Sequence, residues 1–200
     1  MDTKKLPLYL ENSFQSLYGN FGARFCATLL DGLFFAPITI GMMVFNSLQL
    51  NNYYFTFVVF QIVFLAYSIY LPVRYGATPG KRIMGLTILK IDGSPISYRE
   101  AFLKVAPALL LSLLSFIFQC YILSKADADT YNNMSWLQQN DYLQSLDSAM
   151  FYIEITILYA FYFANLIVFL VNKRKRSIGD QAAGTVVVYT RFLDKIKETI

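Results

Sequence analysis

Four apolar stretches of about twenty residues constrain this chain more than anything else in it. They run from about Ala23 to Phe45, Tyr53 to Val73, Val105 to Leu123 and Met150 to Val171. The second and third carry no charge, and the first and fourth carry one acid each, Asp31 and Glu154. A helix that crosses the ~30 Å hydrocarbon core of a bilayer needs about 20 mostly apolar residues. A soluble core offers no room for four such blocks in 200 residues, so the fold class expected is an all-α membrane protein with four transmembrane helices, in one domain over residues 1–200. Only 15% of the residues are charged, against roughly a quarter in soluble domains. Disorder is excluded by the 17% aromatic content, and a disulfide scaffold by the presence of only two cysteines. Histidine is absent, which removes all chemistry that needs imidazole.

The cations are sorted. Sixteen of the 17 Lys and Arg residues lie before or at the very start of the first block, between the second and third, or after the fourth, and only Lys125 lies elsewhere. Loops rich in Lys and Arg stay in the cytoplasm. Both termini and the middle loop are therefore expected in the cytoplasm, with the chain passing several times through the plasma (inner) membrane. The short Asn46–Asn52 loop and the long 124–149 loop face outward, and the latter is acidic through Asp127, Asp129, Asp141 and Asp147. The net charge of +4 is then explained by topology and by contact with anionic lipid headgroups, above all at Lys173–Arg176, and nucleic acid is not an expected partner. Tyr53, Tyr54, Tyr121 and Tyr152 at outer ends of the blocks, and Tyr70 and Tyr75 at an inner end, read as interfacial belts. The first block is too long and starts too late for a cleavable signal peptide, and Leu6–Tyr18 is expected to lie along the membrane surface. Cys26 and Cys120 fall near opposite membrane faces, too far apart to pair.

Polar residues inside the blocks hold the functional information, because an acid near the bilayer centre costs about 2.5–3.5 kcal/mol on insertion scales. Arg24 stands two helical turns before Asp31, on the same helix face. Either Arg24 or a second cation from the middle loop can meet that carboxylate. The pair can simply hold the bundle together, or Asp31 can serve as a proton or monovalent cation site. Glu154, near the outer end of its block, either snorkels to water or lines a path. Gln61, Gln119, Ser112, Ser115, Thr156 and Asn165 read as glue between helices. Pro37, six residues after Asp31, is expected to curve the first helix or free a carbonyl near the acid.

The middle segment contains Gly76-Ala-Thr-Pro-Gly80-Lys81-Arg82. It lacks the four-residue spacing, the Ser or Thr after the lysine and the preceding strand of a phosphate-binding loop, so nucleotide binding is not expected. Leu86–Ile91 is rich in β-branched residues and leads into Asp92-Gly93, a hairpin turn signal. A cytoplasmic hairpin over about residues 83–98 is expected. Because isolated hairpins are marginal in water, Thr185–Thr190 is expected to join it in a small sheet. That would bring Asp180 close to Lys81 or Arg82.

Taken in order, Arg24, Asp31, Gly76-Ala-Thr-Pro-Gly-Lys-Arg-Ile-Met-Gly-Leu86, Asp92-Gly93 and Arg176-Ser-Ile-Gly-Asp180-Gln-Ala-Ala-Gly-Thr185 resemble the RDD family of integral membrane proteins, named for one arginine and two aspartates. The resemblance covers about Phe21–Tyr189 and implies that Arg24, Asp31 and Asp180 are the naming residues. Members often carry histidine where Gly179 precedes the second aspartate, and arginine where Lys104 leads into the third block. Their usual outer connection is shorter than 124–149. Cation/proton antiport is proposed for some members, and the first function class expected is transport of small cations coupled to protons, with Asp31 as the titrating or cation-binding group and Arg24 as its modulator; Lys81, Arg82, Asp180 and Glu154 are further candidates. Four helices would then need a homo-oligomer to line a path. The alternative is a non-transporting assembly or interaction module with a structural Arg/Asp network. No cofactor, no resident metal and no enzymatic nucleophile–base pair is expected.

Overall fold

The computed structural model describes residues 6–9 and 16–199. Lys4, Lys5 and the middle of the expected surface segment, residues 10–15, lie outside the described residues. Four helices are long and apolar enough to cross a membrane. The first is α1, Phe21–Leu48. The second, Asn52–Ile83, is built from α2 (Asn52–Leu65), a π-helical turn (Ala66–Tyr70), α3 (Leu71–Tyr75) and α4 (Pro79–Ile83). After strand β1 (Leu86–Lys90) come α5 (Tyr98–Lys125), α6 (Ala128–Asn132), α7 (Trp136–Leu146) and α8 (Ser148–Val171). The chain ends with α9 (Ile178–Ala182), strand β2 (Thr185–Tyr189), a 3-10 turn (Thr190–Phe192) and α10 (Leu193–Thr199). The four long helices bury little of their own surface within the protein. Leu33, Ile62, Leu110, Ile117 and Phe163 are all exposed, an apolar surface that calls for lipid.

The chain divides into two compact units. One comprises residues 1–34, 65–107 and 164–200, and the other 35–64 and 108–163. The first unit holds the sheet. β1 and β2 pair antiparallel, Leu86 opposite Tyr189 and Lys90 opposite Thr185, so the expected joining of these two segments is correct. Side chains alternate between the faces of a strand. Leu86, Ile88 and Val187 pack with Ala27, Ile96 and Ala101 on one face. Leu89, Val186 and Val188 pack with Leu17, Tyr18, Phe192 and Ile196 on the other. Cover on both faces explains the unbroken Val186-Val187-Val188 run, the pattern of a fully buried strand. Tyr18 adds a bridge to Val188, so its end of the leading segment joins the sheet.

The hairpin needs correction. Its turn is present: Gly93 takes φ 90°, and its N–H donates to the Lys90 carbonyl at 2.9 Å. The return strand is reduced to a single bridge between Leu89 and Pro95. Proline brings no N–H to a ladder, and the chain enters α5 three residues later. α1 runs through Pro37 without ending.

In the second unit, the loop expected over 124–149 is largely helical. Asp127 caps α6 by accepting from the Thr130 N–H. At the start of α7, Gln138 accepts from the Ser135 N–H at 3.0 Å, the Ser-x-x-Gln pattern of a helix start. Tyr131 and Leu143 pack with Leu50, Ile122 and Leu123 in a small core. The Leu50 N–H donates to Asn132 Oδ1 at 3.1 Å, and Gln61 Nε2 donates to Ser112 Oγ at 2.8 Å, joining α2 to α5 as the glue reading expects. Cys26 and Cys120 are both unpaired.

Candidate functional site

Two carboxylates organise the first unit. Asp31, in the second turn-pair of α1, accepts four hydrogen bonds. Its Oδ1 receives the Tyr67 hydroxyl at 2.6 Å and the Gly80 N–H at 2.7 Å. Its Oδ2 receives the Thr78 hydroxyl at 2.7 Å and Lys81 Nζ at 3.4 Å. The donors come from the π-helical turn and from the N-terminal turn of α4. That turn can approach so closely because residue 80 is glycine. A Cβ there would collide with the Ala27 carbonyl oxygen and lie 2.6 Å from Asp31 Oδ1. The cation expected for Asp31 is thus Lys81, from the middle segment. Arg24 turns elsewhere.

Asp180 is fully buried. It is the third residue of α9, where it closes a capping box: its N–H donates to Ser177 Oγ and its Oδ2 accepts the Ser177 N–H, both at 3.2 Å. Arg24 Nη1 donates to Oδ2 at 2.7 Å, Lys104 Nζ pairs with Oδ1, and the Thr185 hydroxyl donates to Oδ1 at 3.2 Å. Burial alone pushes this carboxyl up. The Lys104 and Arg24 charges and their hydrogen bonds outweigh it, and hold Asp180 well below the usual carboxylate range. Arg24 also lies over the Phe169 ring, 5.1 Å from its centroid, in cation–π range. Its Nε and Nη2 are buried with no hydrogen-bond partner among the described residues. Arg176 holds α9 from outside through the Thr185 and Asp180 carbonyls, at 3.0 and 2.8 Å.

Of the cations expected near Asp180, Lys81 bonds to Asp31 instead, yet its charge is felt by Lys104, the direct partner of Asp180, so the two carboxylate clusters adjoin. Arg82 lies 6.0 Å from the Tyr75 ring centroid. Gly179 has its own reason. A Cβ there would collide with the Lys104 carbonyl oxygen, so α9 rests directly on the backbone of α5, which leaves no space for a larger side chain.

Lys104, Tyr67 and Thr185 are network members that reasoning on the sequence did not select as site residues. Tyr67 carried a usable signal: a hydroxyl in the middle of an apolar span needs a partner. Asn165, read as helix glue, accepts the Ile178 N–H at 2.9 Å and so ties α8 to the first turn of α9.

In the second unit, Glu154 neither pairs with these groups nor belongs to their unit. It lines a cavity of about 550 Å3 together with Gln61, Ser112, Ser115 and Gln119.

The model of the RDD family matches residues 18–184. No curated protein and no solved structure matches the chain significantly.

Proposed function

Because the chain belongs to the RDD family, we propose that it is a multi-pass membrane assembly module whose Arg/Asp network is structural. One observation carries this reading. Both oxygens of Asp31 are occupied, by four donors that include an ammonium group. A group that loads and releases a proton or a small cation must give up its ligands in each cycle. Here that means separating α1 from the turn that starts α4, with a loss of about 1.5–3 kcal/mol for each hydrogen bond to the charged carboxylate. The geometry suits a clasp. Asp31 and Asp180 together fasten three membrane helices to a sheet that is buried on both faces. The sorting of cations supports a cytoplasmic position for this end in the plasma (inner) membrane, with Lys173 and Lys175 against anionic headgroups.

The test is Asp31→Asn in proteoliposomes, read together with denaturation of the same protein in detergent. The amide presents its NH2 group to a donor and removes the charge that faces Lys81. A stability loss of about 2–3 kcal/mol is expected, with Na+, K+ and H+ fluxes across a pH step equal to those of protein-free vesicles for both forms. A wild-type flux that disappears in a variant of unchanged stability would establish the carrier reading in its place.

A further inference from the structure

The cavity in the second unit has a composition that selects its occupant. Its volume of about 550 Å3 lies in the range of small-molecule sites. None of the lining residues is Lys or Arg, and Glu154 is the single acid among them. Aromatic rings supply much of the wall. Phe57 and Phe116 stack at 3.8 Å between centroids, and Tyr162 and Trp136 also line the space.

Two amides also belong to the wall. Gln139 is 1% exposed, and its Nε2 donates to the carbonyls of Ser47 at 3.0 Å and Tyr131 at 3.1 Å. Gln61 spends its Nε2 on Ser112, whose own hydroxyl donates to the Leu109 carbonyl at 2.9 Å. These partners fix which end of each amide is the donor. The oxygens, Oε1 of Gln61 and Oε1 of Gln139, are buried with no hydrogen-bond partner among the described residues. They are closed to the cavity space itself, so its preference is set by Glu154 and the rings. A carboxylate that has a serine hydroxyl but no cation among its neighbours in the lining favours a positive charge, and aromatic faces attract cations.

We propose that this cavity binds a monovalent organic ammonium ion with an aromatic or alkyl body. The ammonium group offers N–H donors to Glu154, and the body fills the space between the rings. An anion would face the carboxylate with no cation to offset it. An inorganic cation would leave most of the volume and the apolar wall unused. This inference does not depend on the structural reading of Asp31, which lies in the other unit.

The purified protein provides its own reporter, since Trp136 is the one tryptophan in the chain and lines the cavity. Its fluorescence in detergent would be titrated with phenethylammonium, with the neutral phenethyl alcohol and with the anionic hydrocinnamate, three ligands of similar shape. Saturable binding is expected for the ammonium ion, tighter than for the alcohol by about tenfold or more, as a charged hydrogen bond implies, and none for the anion. Glu154→Gln is expected to abolish the preference of ammonium over alcohol and to leave binding of the alcohol within about twofold. The comparison among ligands on the wild-type protein needs no variant, so a poorly folded Glu154→Gln would not spare the proposal. Equal affinity for all three ligands, no saturable response, displacement of the ammonium ion by Na+ or K+ at lower concentrations than by amines, or an undiminished charge preference in Glu154→Gln would each overturn it.

Discussion

Asp180→Asn is expected to destabilise the protein by about 3–5 kcal/mol, the cost of leaving buried charges without their counter-ion. Typical domains have only about 5–15 kcal/mol in total. The magnitude follows from the surroundings. Asp180 is fully buried, and the Arg24 and Lys104 side chains that meet it are 15% and 16% exposed. Arg24 already has two nitrogens without partners among the described residues, so it has little else to turn to. Asparagine keeps one acceptor but turns an NH2 group toward one of the two cations. The loss would be read by denaturation in detergent, and a change below about 1 kcal/mol would show that the cations are satisfied by other means. Adding Lys104→Met to Asp180→Asn removes one of the stranded cations and is expected to restore part of the stability, an interaction of about 0.5–3 kcal/mol for groups in contact.

The same carboxylate sets an acid limit. Its pKa in the fold is depressed. A depressed carboxylate contributes stability that is complete above the ordinary value of about 4 and is lost as pH falls through the folded value. The wild type is thus expected to lose stability from about pH 4 downward, and Asp180→Asn to show a shallower decline over that window. Identical acid profiles for the two proteins would remove Asp180 as its source.

Gly80→Ala is expected to be nearly as harmful, at about 3 kcal/mol, combining overpacking with the loss of a charged hydrogen bond. The added methyl group would meet the Ala27 carbonyl oxygen, which is backbone and cannot swing aside, and the Asp31 carboxyl carbon at 2.8 Å. α4 must then lift from α1, which breaks the Gly80 N–H bond to Asp31 and loosens those of Thr78 and Lys81. Hydrogen exchange at residues 78–83 would report the opening. Gly41→Ala, in the same helix α1 but with open space around the new atom, is expected to cost nothing, because alanine is the better helix former by about 1 kcal/mol. Equal stability of the two variants would dismiss close packing at Gly80.

These positions show how far the chain can be read without coordinates. The four membrane helices were legible because length and hydropathy report directly on the solvent that a helix needs. The Thr185–Tyr189 strand was legible because an apolar β-branched run after a glycine admits few alternatives. The two helices between α5 and α8 were missed although Ser135 and Gln138 spell a helix start, since an acidic stretch between membrane spans reads most simply as a loop.

Within the site, the sequence by itself singled out Arg24 and Asp31, because a charged residue in or beside an apolar span is costly unless it has a partner, while the motifs that resemble the family pointed to Asp180, Lys81 and Arg82. The tertiary structure alone decided who partners whom. Spacing along α1 set Arg24 beside Asp31, yet the packing of α4 and α9 against α1 gave Asp180 to Arg24 and Lys104, and Asp31 to Lys81, Tyr67, Thr78 and the Gly80 N–H. It likewise set Glu154 in the wall of a cavity among aromatic rings. Cost is local and can be read along the chain. Pairing depends on which strand ends and helix turns share one place, and that is fixed only when the elements pack.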